Sequence, residues 1–156
     1  MEEVKIELSY KRFKTVELNE VGCQLREAAV HAAKRAYAPY SHFNVGAAVL
    51  LKNGTIVEGC NQENLAYPSG LCAERVALFT AGTSLPEQPA EMIAIVAMKD
   101  GVVQPAIAPC GACRQVMIET EQRYGQSIHV LLCGQDEAIF VTSVNDLLPL
   151  SFSFSG

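Results

Sequence analysis

The first amphipathic pattern in the chain runs from Asn19 to about Tyr37. Apolar and small side chains recur there at helical spacing, with charged side chains on the other faces, so this stretch is predicted to be a helix. Asn19 is suited to cap its start, and Pro39 stops it. The same spacing predicts two further helices, over residues 72–81 and from 110 to about 123.

Five apolar stretches predict strands. They span residues 43–51, 55–60, 92–98, 128–133 and 138–142. The first is almost continuously apolar, as expected for a central strand, and Asn53-Gly54 after it predicts a type I′ hairpin. The order of helices and strands predicts an α/β fold, a three-layer α/β/α sandwich around a five-stranded mixed sheet. The apolar tail from Leu147 to Phe154 is too short to form another layer.

Size and charge limit the organisation and the partners. The 156 residues fit a single domain over 1–156, with residues 1–17 as an N-terminal extension. The net charge is -5, and the densest basic stretch is only Lys11-Arg12-Phe13-Lys14, so we expect no nucleic-acid partner. No apolar run is long enough to cross a membrane, and the start of the chain lacks the apolar segment of a leader. We expect a cytoplasmic protein with a small, weakly charged substrate.

Three cysteines and one glutamate mark the starts of two predicted helices. Cys72-Ala73-Glu74 opens one, and Cys110 and Cys113 lie in the first turn of the other. A structural zinc site usually takes four ligands from two pairs, whereas this chain offers one pair and a single cysteine beside a carboxylate. We therefore predict a catalytic Zn²⁺ site with these three cysteines as ligands. Glu74 lies near the open fourth position as a proton carrier that does not bind the metal.

The cysteines also allow a simpler interpretation. Cys110 and Cys113 could form a redox pair or a disulfide, with Cys72 as a buried apolar residue. A redox pair would not need a Cys-x-Glu at a second helix start, and six cysteines without a secretory segment indicate reduced thiols. The remaining cysteines lie in or beside apolar segments and are expected to fill the core: Cys23, Cys60 and Cys133. Among them, Cys60 is the one that could serve as a spare ligand.

The charge of the predicted site requires compensation. Three thiolates and Zn²⁺ carry a formal charge of about -1, which reduces the acidity of a bound water. The unpaired backbone N–H groups at two helix starts supply part of the compensation. Arg75, next to Glu74, is expected to supply the rest by hydrogen bonding to a thiolate, and so to tune its charge.

The chain resembles the homotetrameric type of zinc-dependent cytidine deaminase. The resemblance extends from the first predicted helix to the tail and covers nearly the whole domain. It gives the least information about the first 17 residues. It is carried by these segments: Ala38-Pro39-Tyr40-Ser41, Val45-Gly46-Ala47-Ala48, Asn61-Gln62-Glu63-Asn64, Tyr67 to Arg75, Pro109 to Gln115 and Leu147-Leu148-Pro149.

The resemblance implies a reaction. Cytidine or deoxycytidine is hydrolysed to uridine or deoxyuridine and ammonia, by attack of zinc-bound hydroxide on the ring carbon that bears the amine, in pyrimidine salvage. Cys72, Cys110 and Cys113 take the positions of the zinc ligands. Glu74 takes the position of the residue that moves protons from water to ring atom N3 and to the leaving ammonia.

The resemblance also implies the substrate contacts and the assembly. Asn61 and Glu63 take the positions that bind the ribose hydroxyls, and Ala73 and Phe43 take positions beside the substrate. Phe152 takes the position of a phenylalanine that enters the active site of a neighbouring subunit, which implies a homotetramer with shared sites.

Three other functions stay open at this point. A related deaminase acting on a nucleoside antibiotic or a free base would keep the zinc residues, but its sugar loop should lack Asn61 and Glu63. A polynucleotide deaminase is disfavoured by the acidic balance. A zinc-stabilised interaction module would leave cytidine unchanged in an absorbance assay.

Overall fold

The computed structural model describes residues 1–153, so Phe154, the end of the predicted tail, lies outside the described residues. Within these residues there are three α-helices: α1 (Glu20–Ala33), α2 (Ala73–Ser84) and α3 (Gly111–Tyr124). The strands are β1 (Lys11–Lys14), β2 (Phe43–Leu51), β3 (Ile56–Cys60), β4 (Ala90–Lys99), β5 (Val102–Val103), β6 (His129–Cys133) and β7 (Glu137–Val141).

The strands form one mixed sheet in the order β1-β7-β6-β4-β2-β3, with β5 paired to the end of β4. Only β4 and β6 run parallel, and α3 lies in the connection between them. All five predicted strands are present, and the sheet has two more, β1 and β5. Strand β1 escaped prediction because Phe13 is its single apolar residue, and β5 because it is only two residues long.

The helices cover both faces of the sheet, as the three-layer prediction requires. One apolar cluster joins α1 to the sheet through Leu25, Ala29 and Ala33. A second cluster joins α2 and α3 to the opposite face through side chains such as Ala77 and Met117. Within residues 1–153, no helix has the length and apolar character needed to cross a membrane.

The hairpin between β2 and β3 is confirmed, but its predicted turn type is wrong. A type I′ turn needs positive φ at both central residues. Gly54 has φ +85, whereas Asn53 is not among the residues with positive φ. The Gly54 N–H bonds to Leu51 O, and the Leu51 N–H bonds to Thr55 O. This is a turn followed by a single left-handed glycine, the arrangement of a three-residue hairpin loop.

Helix α1 ends at Ala33, four residues before the predicted end. The chain leaves the helix because Tyr37 bonds to the neighbouring loop instead: its N–H donates to Asn61 O, and its carbonyl accepts from Glu63 N. This pairing brings residues 37–41 against residues 61–63. Two segments that are distant in sequence therefore form one wall beside the sheet.

Two glycines let helices lie directly on the sheet. A Cβ on Gly46 would lie 1.9 Å from the carbonyl oxygen of Ala29 in α1. A Cβ on Gly59 would lie 2.4 Å from the backbone nitrogen of Ala77 and 2.6 Å from the carbonyl oxygen of Ala73, both in α2. No side chain fits at either position, because both distances are shorter than any real contact to backbone. Gly59 thereby fixes how closely the start of α2 approaches β3.

Candidate active site

Two cysteines occupy the cap positions of two helices. Cys72 is the N-cap of α2 and Cys110 is the N-cap of α3, and neither makes a side-chain capping hydrogen bond. Cys113 lies in the first turn of α3 and is buried. The first-turn N–H groups of a helix carry partial positive charge, which stabilises thiolates. The fold therefore brings three sulfur atoms to two helix starts that favour their ionised form.

The three sulfur atoms converge on one point. The Sγ atoms of Cys72, Cys110 and Cys113 all lie within 4.8 Å of one another, and those of Cys72 and Cys110 are 3.8 Å apart. All three cysteines are free thiols, so the disulfide alternative finds no support here. Three thiol sulfurs at this separation fit the ligand chemistry of Zn²⁺, which prefers thiolates in small tetrahedral sets.

The thiols do not ionise alike. Cys72 accepts a hydrogen bond from Cys113, which is the main reason that its pKa falls to about 5; burial opposes this shift and Arg75 adds to it. The same hydrogen bond is the main reason that the pKa of Cys113 rises, and burial adds to the rise. Before any metal binds, Cys72 therefore ionises more readily than Cys113.

Arg75 faces the cluster. Its Nη2 donates to the sulfur of Cys72 at 3.9 Å. Its Nε is buried and makes no hydrogen bond within the described part of the chain. A guanidinium held this way places a positive charge beside the thiolate.

Glu74 is buried beside the cluster, with only 4% of its surface exposed. Burial raises the pKa of its carboxyl above the ordinary value, and the negative charge on Cys72 raises it further. A carboxyl group whose pKa moves towards neutrality can both accept and donate a proton near physiological pH. Glu74 thus has the position and the electrostatics expected of a proton carrier.

A cleft of about 570 Å³ opens beside the cluster and is large enough for a nucleoside. It brings together four of the predicted site residues, Asn61, Glu63, Cys72 and Arg75. The complete lining is Tyr40, Ser41, Asn61, Gln62, Glu63, Asn64, Tyr67, Gly70, Leu71, Cys72 and Arg75. A second cavity of about 400 Å³ lies between α2 and α3 and contains none of the predicted site residues.

Glu63 is held in the cleft by the segment before β2. Its carboxylate accepts hydrogen bonds from the Ser41 hydroxyl, from the backbone N–H of Tyr40 at 2.9 Å, and from the backbone N–H of Ser41 at 3.3 Å. The Ser41 hydroxyl bond is the main reason that the pKa of Glu63 is lowered, with the Tyr40 bond next. Glu63 therefore stays ionised and fixed in orientation.

Asn61 is anchored to the first residues of β2. Its side-chain oxygen accepts from the backbone N–H of Val45 at 2.8 Å, and its Nδ2 donates to the carbonyl of Phe43 at 3.0 Å. One N–H of the amide and one oxygen lone pair remain for a ligand. The side chain of Phe43 is half-buried at the start of β2, outside the lining of the cleft.

The remaining predicted residues divide into two groups. Ala73 is fully buried between the cluster residue Cys72 and Glu74. Phe152, in contrast, is 76% exposed, and its carbonyl accepts a hydrogen bond from Gln115 in α3 at 2.8 Å. Within this single chain, Phe152 does not line the cleft.

Sequence reasoning missed the residues that hold the site in place. Ser41 was part of a recognised segment, but nothing in its spacing indicated that it would bind Glu63. Arg114 was overlooked as well: its Nε donates to Pro109 O at 2.8 Å and its Nη1 to Leu147 O at 2.6 Å. Arg114 therefore fastens the C-terminal tail to the loop that carries Cys110.

Glu121 is a third missed residue, buried with 5% exposure in α3. It accepts from the backbone N–H groups of Ile128 at 2.7 Å and Val144 at 3.0 Å. The side chains of Ser143 and Asn145 also donate to it. Its neighbours in the sequence are polar, so it was not distinguished from an exposed helical glutamate. Glu121 joins α3 to the segment that leads into the tail.

The expectation that Cys23 fills the core is wrong. Cys23 is exposed on α1, because it lies on the polar face of that helix, and its thiol contacts Leu18 O at 3.6 Å. Cys133 is buried as expected, and Cys60 is half-buried and accepts from Gln62. Cys60 is not part of the sulfur cluster, so it is not a fourth ligand.

The α/β/α fold and a three-cysteine cluster beside a buried glutamate define the class of zinc-dependent hydrolases that act on small rings. The family model for the cytidine and deoxycytidylate deaminase zinc-binding region matches residues 20–125, which include the whole cluster. This chain belongs to that family.

Relatives and solved structures agree with the family. A cytidine deaminase of Sporosarcina psychrophila is 45% identical over 122 residues, covering 78% of this chain and 84% of that protein. A cytidine deaminase of Halalkalibacterium halodurans is 37% identical over 138 residues, covering 83% and 92%. The crystal structure of cytidine deaminase from Burkholderia pseudomallei matches with a TM-score of 0.71 and 43% identity, covering 83% of this chain and 98% of that one.

Proposed function

We propose that this protein hydrolyses cytidine and deoxycytidine to uridine and deoxyuridine, releasing ammonia, as a step of pyrimidine salvage. The observation that carries the proposal is the cluster of Cys72, Cys110 and Cys113 next to the buried carboxyl of Glu74, in a chain whose relatives are cytidine deaminases. The reaction exchanges the ring amino group for an oxygen taken from water.

The three cysteines of the cluster are proposed to hold Zn²⁺ as thiolates. When bound, the ion supplies Lewis-acid activation of water near neutral pH. Cys110 is the most exposed of the three and Cys113 is buried, so the site has one side open to the solvent. Protons from the cluster, first of all that of Cys113, must leave as the metal binds.

Glu74 is proposed to move the protons of the reaction. Its carboxylate takes a proton from the attacking water and gives it to ring nitrogen N3. The protonated N3 makes the adjacent carbon more electrophilic, and a second proton then passes through Glu74 to the departing amino group. Its burial keeps bulk water from competing for these protons.

Asn61 and Glu63 are proposed to bind the sugar hydroxyls. An amide and a carboxylate together provide the donors and acceptors that ribose needs. Within residues 1–153, the one cationic side chain that lines the cleft is Arg75, which is already bonded to Cys72. A phosphate would therefore meet the negative charge of Glu63 without a free counter-charge, so we propose a nucleoside and not a nucleotide as substrate.

The contacts to the ring and the assembly complete the proposal. Ala73 and Phe43 are proposed to lie beside the bound ring, and Phe152 to enter the active site of a neighbouring copy in a homotetramer. The exposure of Phe152 and Leu150, at 76% and 94%, supports a role outside their own chain. The whole chain is proposed to be one domain, with residues 1–17 as an extension. The six free thiols support a cytoplasmic location.

A turnover assay tests the proposed function. Zinc-loaded protein is incubated with cytidine, deoxycytidine, CMP, cytosine and adenosine, and the loss of absorbance and the release of ammonia are followed. We expect turnover of the two nucleosides of cytosine and little with CMP. Unchanged cytidine at full zinc content would indicate a structural zinc module, and preference for free cytosine would contradict the sugar assignment.

A further inference from the structure

The first ten residues, which we call the N-terminal arm, have the pattern of a strand without a partner. Apolar side chains alternate with polar ones, and all of them are exposed: Val4 by 75%, Ile6 by 58%, Leu8 by 50% and Tyr10 by 51%. Alternation with period two is typical of a strand that buries one face. Within residues 1–153, no side-chain hydrogen bond or ion pair ties the arm to the domain, so its apolar face is uncovered.

The arm continues directly into an open sheet edge. Strand β1 begins at Lys11 and pairs with β7 on one side, and within the described residues no strand lies on its other side. Such an edge presents unpaired N–H and C=O groups that can bind another strand. The arm and β1 also precede residue 20, where the match to the family model begins. They are therefore additions to the shared domain.

The arm cannot easily cover this edge itself. Folding back onto β1 would require a tight turn, and within residues 1–14 the turn-forming residue types are represented by Ser9 alone, with no glycine, proline, asparagine or aspartate. The charges instead favour a second chain. The arm carries Glu2, Glu3 and Glu7 against a single lysine, Lys5, whereas β1 is basic, so an antiparallel neighbour with the same sequence places acidic residues opposite basic ones.

We propose that the N-terminal arm and the start of β1 pair antiparallel with the same segment of a second copy of this chain. The two copies form a two-stranded ribbon around a twofold axis at Glu7. In this register Ile6 faces Leu8 of the other copy and Val4 faces Tyr10, so the apolar side chains cover one another. Glu3 faces Lys11.

In this register one contact is unfavourable, and one basic residue, Arg12, lies near two acidic residues. The two Glu7 side chains approach each other at the twofold axis, on the polar face, where water and salt screen their repulsion. Arg12 faces Glu2 of the other copy, but it already lies 3.7 Å from Glu137 in its own chain, so Lys11 is the basic residue that this pairing engages most directly.

Cysteine crosslinking in the zinc-loaded protein tests the register. Exposed Cys23 is first replaced by serine to remove its reactivity. Glu7→Cys should then form a disulfide-linked dimer under mild oxidation, while Glu27→Cys, an exposed control on α1, should not. Glu3→Cys should not crosslink with itself but should crosslink when mixed with Lys11→Cys. Equal crosslinking rates for Glu7→Cys and Glu27→Cys would overturn the proposal.

Hydrogen exchange identifies what covers the arm. Amides of residues 4–10 should exchange at least about tenfold more slowly at high protein concentration than at low concentration. The double substitution Ile6→Lys and Leu8→Lys should abolish this protection and leave kcat for cytidine unchanged, because the arm is not part of the active site. Protection without crosslinking of Glu7→Cys would place the arm on its own domain, and absent protection would mean no pairing; either result overturns the proposal.

Discussion

The guanidinium of Arg75 donates a hydrogen bond to the sulfur of Cys72, one helical turn before it, at 3.9 Å. Cys72 is the thiol of the cluster whose pKa is lowered, so the arginine lies against the sulfur that carries the negative charge. Three thiolates would leave the zinc site with a charge of about -1, which weakens the acidification of water. Arg75 is therefore expected to control the electrostatics of the site through this sulfur.

Arg75→Gln should keep zinc but lower kcat/KM by about tenfold or more, the effect of losing a hydrogen bond to a charged group. Its acidic pH limb should move upward, because the site carries more negative charge. Adding Cys72→His should recover part of the loss, since histidine is a neutral ligand. Metal analysis and pH-rate profiles check this, and an unchanged profile at full zinc content would show that Arg75 does not tune the site.

Glu74→Gln should retain zinc and nucleoside binding and lose turnover, with kcat falling by about 10²-fold to 10⁴-fold. The amide occupies the same space but cannot carry the travelling proton. Zinc content, equilibrium binding of cytidine and single-turnover rates separate the two effects. A kcat close to that of the unmodified protein would refute the proton-transfer role.

Ser41→Ala should raise the pKa of Glu63, because the Ser41 hydroxyl contributes most to lowering it. Because the pKa of Glu63 is lowered in the folded protein, its carboxylate is still ionised at the ordinary pKa of a glutamate. It becomes protonated only as the pH falls through the lowered value. As the pH is lowered, KM for cytidine should therefore begin to rise at a higher pH in the alanine variant than in the unmodified protein. Ser41→Thr, which keeps the hydroxyl, is the control. Matching KM profiles for the alanine and threonine variants would contradict this account.

Glu121→Ala should lower the free energy of unfolding by about 2–4 kcal/mol, because it leaves the buried N–H groups of Ile128 and Val144 without acceptors. Glu121→Gln keeps one acceptor oxygen and should lose less. Urea denaturation of both variants at equal zinc content measures the difference. Equal stability of the alanine variant and the unmodified protein would show that these hydrogen bonds are replaced by water.

The proposed homotetramer predicts a particle of four 16.9 kDa chains in light scattering. The measurement is best made with the Ile6→Lys and Leu8→Lys variant, so that pairing of the N-terminal arm does not add to the mass. Phe152→Ala should raise KM for cytidine, because a neighbouring site loses the ring that covers it. A monomer with full activity would exclude shared active sites.

Sequence patterns predicted the layers and the central strands because those elements bury long apolar faces. Strand β2 was predicted with its observed bounds, Phe43–Leu51, since its apolar run ends at a polar turn. Strand β1 could not be predicted, because its pairing depends on the edge that β7 offers and not on its own composition. The spacing of apolar residues in a sequence indicates which residues are buried, whereas the charged residues of the edge strand β1 are exposed.

The sequence indicated which residues to expect in the candidate site, but not which residues hold them in place. Cys72 and Cys110 are 38 residues apart, and only their chemistry indicated that they meet. The hydrogen bonds from Ser41 to Glu63 and from Arg114 to the tail depend on backbone directions that no spacing reveals. Residues with distinctive chemistry are visible in a sequence, whereas the common polar residues that orient them are not.

The contact between Gly59 and α2 limits how this protein can be redesigned. At Gly59, the start of α2, which follows Cys72 and carries Glu74, rests directly on the backbone of β3. An engineer therefore cannot deepen the pocket by trimming a residue there, and any larger residue would displace both groups together. Changes in substrate preference are better sought in the loop of residues 61–71, which supplies most of the lining of the cleft.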